Sequence, residues 1–267
     1  MGRKPRGSTD GNGRDGPAIL ERLLGGAHPE VLNIRRTPPL EEPAARSALA
    51  RIPTCFLLDV SSSMFASGGL GAVARALPGF RQAILSDSLT ARKLHWAFLT
   101  YAETPKLVRD YGPIADWEPP AEIESGTSTA MATAIIEMFR IQDEHVEKLA
   151  AQGVPLQRKF CVHVTDGEPN SEPPELMEEA ARLIEQAEES GTFSFFNIYV
   201  EGANVELLKR LTPRRTPLRL ADVKDFSLFF RWLNASLRTT SHSMAGERVA
   251  LPNPMKSAEN PVGWADI

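Results

Sequence analysis

Thr54-Cys55-Phe56-Leu57-Leu58-Asp59-Val60-Ser61-Ser62-Ser63 changes character at residue 59, where an apolar run gives way to D-x-S-x-S. A nearly continuous apolar run of this length fits a strand covered on both faces. The carboxylate and hydroxyls that follow then fall at the strand's carboxyl end. Two later segments complete the pattern. Gly126-Thr127 follows a Pro-rich loop, Trp117–Ser125, and Thr165-Asp166-Gly167 closes an apolar run that begins at Lys159.

Outward from these segments, strand and helix patterns alternate. Strands are expected at Thr54–Leu58, Lys93–Tyr101, Lys159–Thr165 and Phe193–Val200, with shorter ones at Pro105–Tyr111 (an edge) and Leu218–Ala221. Leu70, Val73, Leu77, Phe80 and Ile84 recur at helical spacing, with a kink or break expected at Pro78-Gly79. Met131, Ile135 and Met138 mark a second helix. Pro173-Pro174 opens a third that Gly191 ends, and a fourth runs from Phe226 to about Arg238. This order predicts an α/β fold: a doubly wound, mostly parallel central sheet with helices on both faces. In such sheets ligands sit beyond the carboxyl ends of the strands, where strand order reverses. Residues 51–240 read as that domain, 1–50 as a partly disordered N-terminal extension, and 241–267 as a C-terminal extension with Trp264 as its large anchor.

Asp59, Ser61, Ser63, Thr127 and Asp166 are five oxygen-bearing side chains at expected strand ends or helix starts. They suit a small hard cation, Mg2+ or Mn2+. The hydroxyls are expected to bind directly, with one or both aspartates acting through water. So few carboxylates leave the ion able to accept one more, from an Asp or Glu of a protein partner. Gly126 gives the backbone freedom to bring Thr127 close. Each segment alone has a plainer reading. Asp59-x-Ser61, Thr127 or Ser128 suits a helix cap, and Thr165-Asp166-Gly167 suits a strand-end turn. The metal reading rests on all three in order.

At these residues the chain resembles the von Willebrand factor A domain with its metal-ion-dependent adhesion site, D-x-S-x-S, then Thr, then Asp. The resemblance implies a doubly wound, Rossmann-like sheet, magnesium or manganese, and ligand binding rather than catalysis. Arg51-Ile52-Pro53, Thr165-Asp166-Gly167-Glu168-Pro169, Phe229-Phe230-Arg231-Trp232-Leu233 and Val249-Ala250-Leu251-Pro252 look like the bacterial TerY-type subfamily. That narrower likeness implies a tellurite-resistance or stress-response scaffold in a phospho-signalling module. Its expected partners are a protein kinase or a metal-dependent protein phosphatase. Ser62 and Ser125 stand where that pattern usually has Gly.

Net charge is −4 over 267 residues, with a pI near 5.8, so no global basic field holds nucleic acid or an anionic membrane. No apolar run reaches the roughly 18 residues of a membrane span. The N-terminus lacks a secretory pattern, and the expected location is cytoplasmic. Cys55 and Cys161 precede the two motif aspartates at similar distances and read as buried thiols lying close on neighbouring strands, with a disulfide as the lesser reading. The histidines His28, His95, His145, His163 and His242 show no zinc spacing and read as structural or surface residues. An aspartyl-phosphate hydrolase using Asp59 would need a second Asp where Ser61 stands. Gly69-x-Gly71-x-x-Ala74 lies too far from its strand for a dinucleotide site. Gly126–Ala130 lacks the strand before a serine elbow. An interaction module with incidental metal is the remaining alternative.

Overall fold

The computed structural model describes residues 49–166, 169–170, 172–200, 203–220, 223–244 and 251. Among them lie the strands β1 (Ile52–Asp59), β2 (Leu94–Tyr101), β3 (Pro105–Pro113), β4 (Lys159–Thr165), β5 (Phe193–Tyr199) and β6 (Leu218–Arg219). They form one six-stranded sheet in the order β3-β2-β1-β4-β5-β6. Every pairing is parallel except that of β2 with the edge strand β3. The chain winds outward from β1 in one direction, then crosses back to β4 and winds outward in the other. Strand order therefore reverses between β1 and β4, and the carboxyl ends of these two strands flank the switch point.

Helices α1 (Ser62–Ala66), α2 (Gly69–Leu85), α3 (Ser88–Lys93), α4 (Met131–Ala151), α5 (Pro174–Glu189), α6 (Val205–Leu211) and α7 (Val223–His242) cover the sheet. The two-residue period of the strands sorts their side chains between two cores. Phe56, Leu58, Trp96, Phe98 and Val162 face Leu77 and Phe80 of α2 and Phe230 and Leu233 of α7. Cys55, Leu57, Leu99 and Cys161 face Ile135 and Met138 of α4 and Ala180 and Ile184 of α5. Both faces of β1 and β2 are thus buried at all eight positions of each strand, which is why these strands read as apolar runs rather than alternating ones. Rings lock the first core: Phe56 stacks on Trp96 at 5.8 Å, and Phe80 meets Phe230 at 5.0 Å.

Cys55 and Cys161 sit directly opposite one another across β1 and β4, both buried as free thiols. The break or kink expected at Pro78-Gly79 is not a break: α2 runs through it. Pro78 and Gly79 are exposed, on the side of the helix away from the core, while Leu70, Val73, Leu77, Phe80 and Ile84 keep the buried stripe continuous. The last helix continues past Arg238 to His242. Three short helices, α1, α3 and α6, stand where no periodicity announces them. None of the described helices is long and apolar enough to cross a membrane. The expected N-terminal extension to residue 48, the anchor at Trp264 and His28 lie outside the described residues.

Candidate metal centre

Asp59 is the last residue of β1, and Asp166 directly follows β4. The chain leaves β1 in a turn fixed from both sides. Val60 N–H donates to the Tyr101 carbonyl at the end of β2 (2.9 Å), and the Val60 carbonyl accepts from Gly126 N–H (2.8 Å). Asp59 Oδ1 accepts the Ser61 amide at 2.9 Å, and its Oδ2 accepts the Thr165 hydroxyl at 2.6 Å. Ser61 precedes α1 but makes no side-chain cap bond there, so the capping alternative does not describe it. Its Oγ lies 3.1 Å from that of Ser63, and Ser63 Oγ donates to Asp166 Oδ1 at 2.9 Å. Asp59, Ser61, Ser63 and Asp166 therefore form one hydrogen-bonded network across the switch point, 103 residues apart in the chain at its longest step.

Thr127 is not hydrogen-bonded into that network. Its amide donates to Glu103 Oε1 at 2.6 Å, and its hydroxyl donates to the same oxygen. It is held near by Gly126, whose amide is on Val60, and by Ala130, whose amide donates to the Ala102 carbonyl (2.7 Å). Neither Thr127 nor Ser128 caps α4. That helix starts after Ala130, without a side-chain cap of its own. Its first amides go elsewhere: Glu172 accepts both Ala132 N–H and Thr133 N–H at 2.7 Å, and just before the helix Asn170 accepts Thr129 N–H at 3.1 Å. The loop after Asp166 thus stitches the Thr127 loop to the Asp166 strand.

Asp59 is fully buried, Ser61 is 2% exposed and Asp166 7%, while Ser63 and Thr127 stand open to solvent. Burial pushes the Asp59 carboxyl above its ordinary range, against hydrogen bonds from Thr165 and Ser61 that pull it down. Burial does the same to Asp166, and the Asp59 charge adds to it. Neither carboxylate forms an ion pair with Lys or Arg among the described residues. Two buried carboxylates without a Lys or Arg partner among the described residues would gain from a nearby cation.

The hydroxyl protons supply the other half. Ser63 spends its proton on Asp166, so Ser61 is left to donate toward Ser63 or Asp59, and Thr127 spends its proton on Glu103. Each hydroxyl then has oxygen lone pairs as its free valences, which is the form in which an alcohol ligates a hard ion. No group of three or more His, Cys, Asp or Glu side chains among the described residues has metal-holding geometry. Any cation held here would draw on hydroxyl oxygens as well as carboxylates. The hydroxyl and carboxylate oxygens present are of the kind that suits a hard divalent cation.

Thr165 lies inside one of the three motif segments, but Glu103, Asn170 and Glu172 support this arrangement without any sequence signal marking them. The histidines serve the core or surface instead. His95 and His145 pair at 3.0 Å, His163 bridges Tyr101 and Asn197 at 2.7 Å each, and His242 meets Asp87 at 3.3 Å. A cavity of about 370 Å³ opens beside the site between Val60, Ala102, Glu103, Val108, Ile123 and Gly126. Phe65, two residues past Ser63, is 65% exposed.

Among solved structures, the vWF domain of the type V pili tip protein Mfa5 from Porphyromonas gingivalis aligns with a TM-score of 0.53. The match covers 75% of this chain and 99% of that one at 9% identity. The pilus adhesin SpaC from Lactobacillus rhamnosus GG, in its open conformation, aligns with a TM-score of 0.56 over 71% of this chain and 30% of that one, at 11% identity. The fold is that of a von Willebrand factor A domain. Proximal thread matrix protein 1 from the mussel byssus, solved with a zinc-occupied MIDAS motif, is similar more loosely, with a TM-score of 0.46 and 15% identity. The chain covers 48% of that neighbour, so it spans half or less of the length of several structures it matches. No protein-family profile matches the chain, and no curated protein matches it by sequence. Within a von Willebrand factor A fold, Asp59 and Asp166 occupy the two strand ends at the switch point.

Proposed function

We propose that this chain is a metal-dependent protein-binding module. In this reading Ser61, Ser63 and Thr127 hold Mg2+ or Mn2+ directly, with Asp59 and Asp166 behind them. When bound, the cation supplies an electrophilic position that an Asp or Glu carboxylate of a protein partner fills. One observation carries the reading. The protons of Ser63 and Thr127 are drawn onto Asp166 and Glu103 at the mouth of the switch point, leaving solvent-facing lone pairs above buried carboxylates. Exposed Phe65 and the adjoining cavity offer apolar surface for the rest of a partner. That the neighbours of this fold include a pilus adhesin and a pili tip protein agrees with a binding role.

We further place the module in the cytoplasm, in a stress-response or phospho-signalling system of the TerY type, with a protein kinase or a metal-dependent protein phosphatase as partner. The support is the sequence likeness at residues 165–169 and 229–233. A phosphohydrolase reading is disfavoured by Asp59 itself. Its side chain is fully buried, and Ser61 stands where that chemistry needs a second Asp as general acid/base. Co-purification from the source cells tests the proposal, using tagged wild type and Asp59→Ala in Mg2+ and in chelator. The expected result is a partner retained only by the wild type in Mg2+, with the circular dichroism of the variant unchanged. Equal capture in chelator and by Asp59→Ala would overturn it.

A further inference from the structure

Glu103 belongs to none of the three motif segments. It lies two residues beyond β2, in the turn before β3, and its side chain is exposed. An exposed glutamate in a turn ordinarily does nothing but solvate. This one instead uses a single oxygen, Oε1, to accept both the amide and the hydroxyl of Thr127, 24 residues away. Those bonds hold its carboxyl below the usual range, the hydroxyl of Thr127 contributing most. Gly126 shows how tightly the two segments meet. A Cβ built there would stand 2.4 Å from Ala102 Cβ and 2.5 Å from Glu103 Oε2.

We propose that Glu103 is a positioning residue of the metal centre, acting through Thr127; this rests on the metal-binding reading above. A threonine hydroxyl has one proton and two lone pairs. With the proton and the neighbouring amide both anchored on Glu103, the hydroxyl cannot rotate to present its proton to an incoming cation. It can present only lone pairs. The negative acceptor also draws the O–H proton outward and makes the oxygen a better donor, as outer carboxylates do for other ligands. Asp166 does the same for Ser63. The two solvent-facing hydroxyls are thus each backed by one carboxylate that need not touch the ion. Glu103 is the member of this pair that the sequence pattern omits.

Titration of Mn2+ into the full chain, read by loss of the free-ion EPR signal, tests this. Glu103→Ala should weaken binding by about 10- to 100-fold. Glu103→Gln keeps an oxygen that accepts from Thr127 and should lose less than about tenfold. In a Thr127→Val background Glu103→Ala should cost less than about twofold more, because the group it acts through is gone. Wild-type affinity in Glu103→Ala would overturn the proposal. So would a loss in Glu103→Gln equal to that in Glu103→Ala, since a direct ligand or a bare charge behaves that way. Thermal unfolding in chelator controls for folding. A wild type that binds no Mn2+ would remove the metal reading itself, a result distinct from all of these.

Discussion

Gly126→Ala is the smallest change that tests how the site is assembled. The added methyl would sit 2.4 Å from Ala102 Cβ and 2.5 Å from Glu103 Oε2, where ordinary contact is 3.4–4 Å. Relieving the first clash requires a movement of about 1 Å, twice the roughly 0.5 Å within which a binding constellation must be held. The strand side does not yield easily. Ala102 is 5% exposed with no rotatable bond, its carbonyl holds Ala130 N–H, and the adjacent Tyr101 carbonyl holds Val60 N–H. The movement therefore falls on the loop that carries Thr127. Overpacking of this kind costs about 1–3 kcal/mol. At about 2–4 °C per kcal/mol for a domain of this size, the expected fall in melting temperature is roughly 2–12 °C, measured calorimetrically in chelator. Mn2+ affinity should fall by about tenfold or more in the same variant. Gly79→Ala is the matched control. It lies inside α2, with nothing within 4 Å of a built Cβ, and should stabilise by about 0.5–1 kcal/mol. Unchanged melting and unchanged Mn2+ affinity in Gly126→Ala would show that close contact at residue 126 does not position Thr127.

Glu172→Ala should cost about 1–2 kcal/mol in urea unfolding, since it leaves Ala132 N–H and Thr133 N–H without their acceptor, and amide exchange at those two positions should quicken. Burial lowers the His95 pKa to about 3 and those of His145 and His163 to about 4. Each folded pKa lies below the unfolded value of about 6.5, so the unfolded chain binds more protons between these limits. Stability from these groups is complete above about pH 6.5 and is lost as pH falls toward 4. His145→Gln should therefore flatten the dependence of unfolding free energy on pH by about 1.4 kcal/mol per unit in that window. An unaltered slope would show that His145 is not held neutral by the fold.

The fold was legible because its signals are local. An apolar run such as Cys55–Leu58 needs no partner to be recognised as a two-faced strand, and Asp59 and Asp166 mark where two such runs end. The near-equal spacing of Cys55 and Cys161 from those aspartates even foreshadowed their direct pairing. Whether Pro78 ends the helix depends on which side of it the proline occupies, and that is settled by tertiary packing. Helices α1, α3 and α6 escaped notice because five to seven residues do not show a period. In the site, residue types were readable and proton directions were not. Glu103 and Glu172 look like solvated loop glutamates until the fold brings Thr127 and the start of α4 against them.

In the proposed site, Ser61, Ser63 and Thr127 grip a divalent cation with their oxygens. A crystal grown with Mn2+ and measured at the manganese absorption edge tests it directly. One anomalous peak is expected about 2–2.2 Å from these three hydroxyl oxygens. A peak held by surface carboxylates alone, or none at the carboxyl ends of β1 and β4, would contradict it.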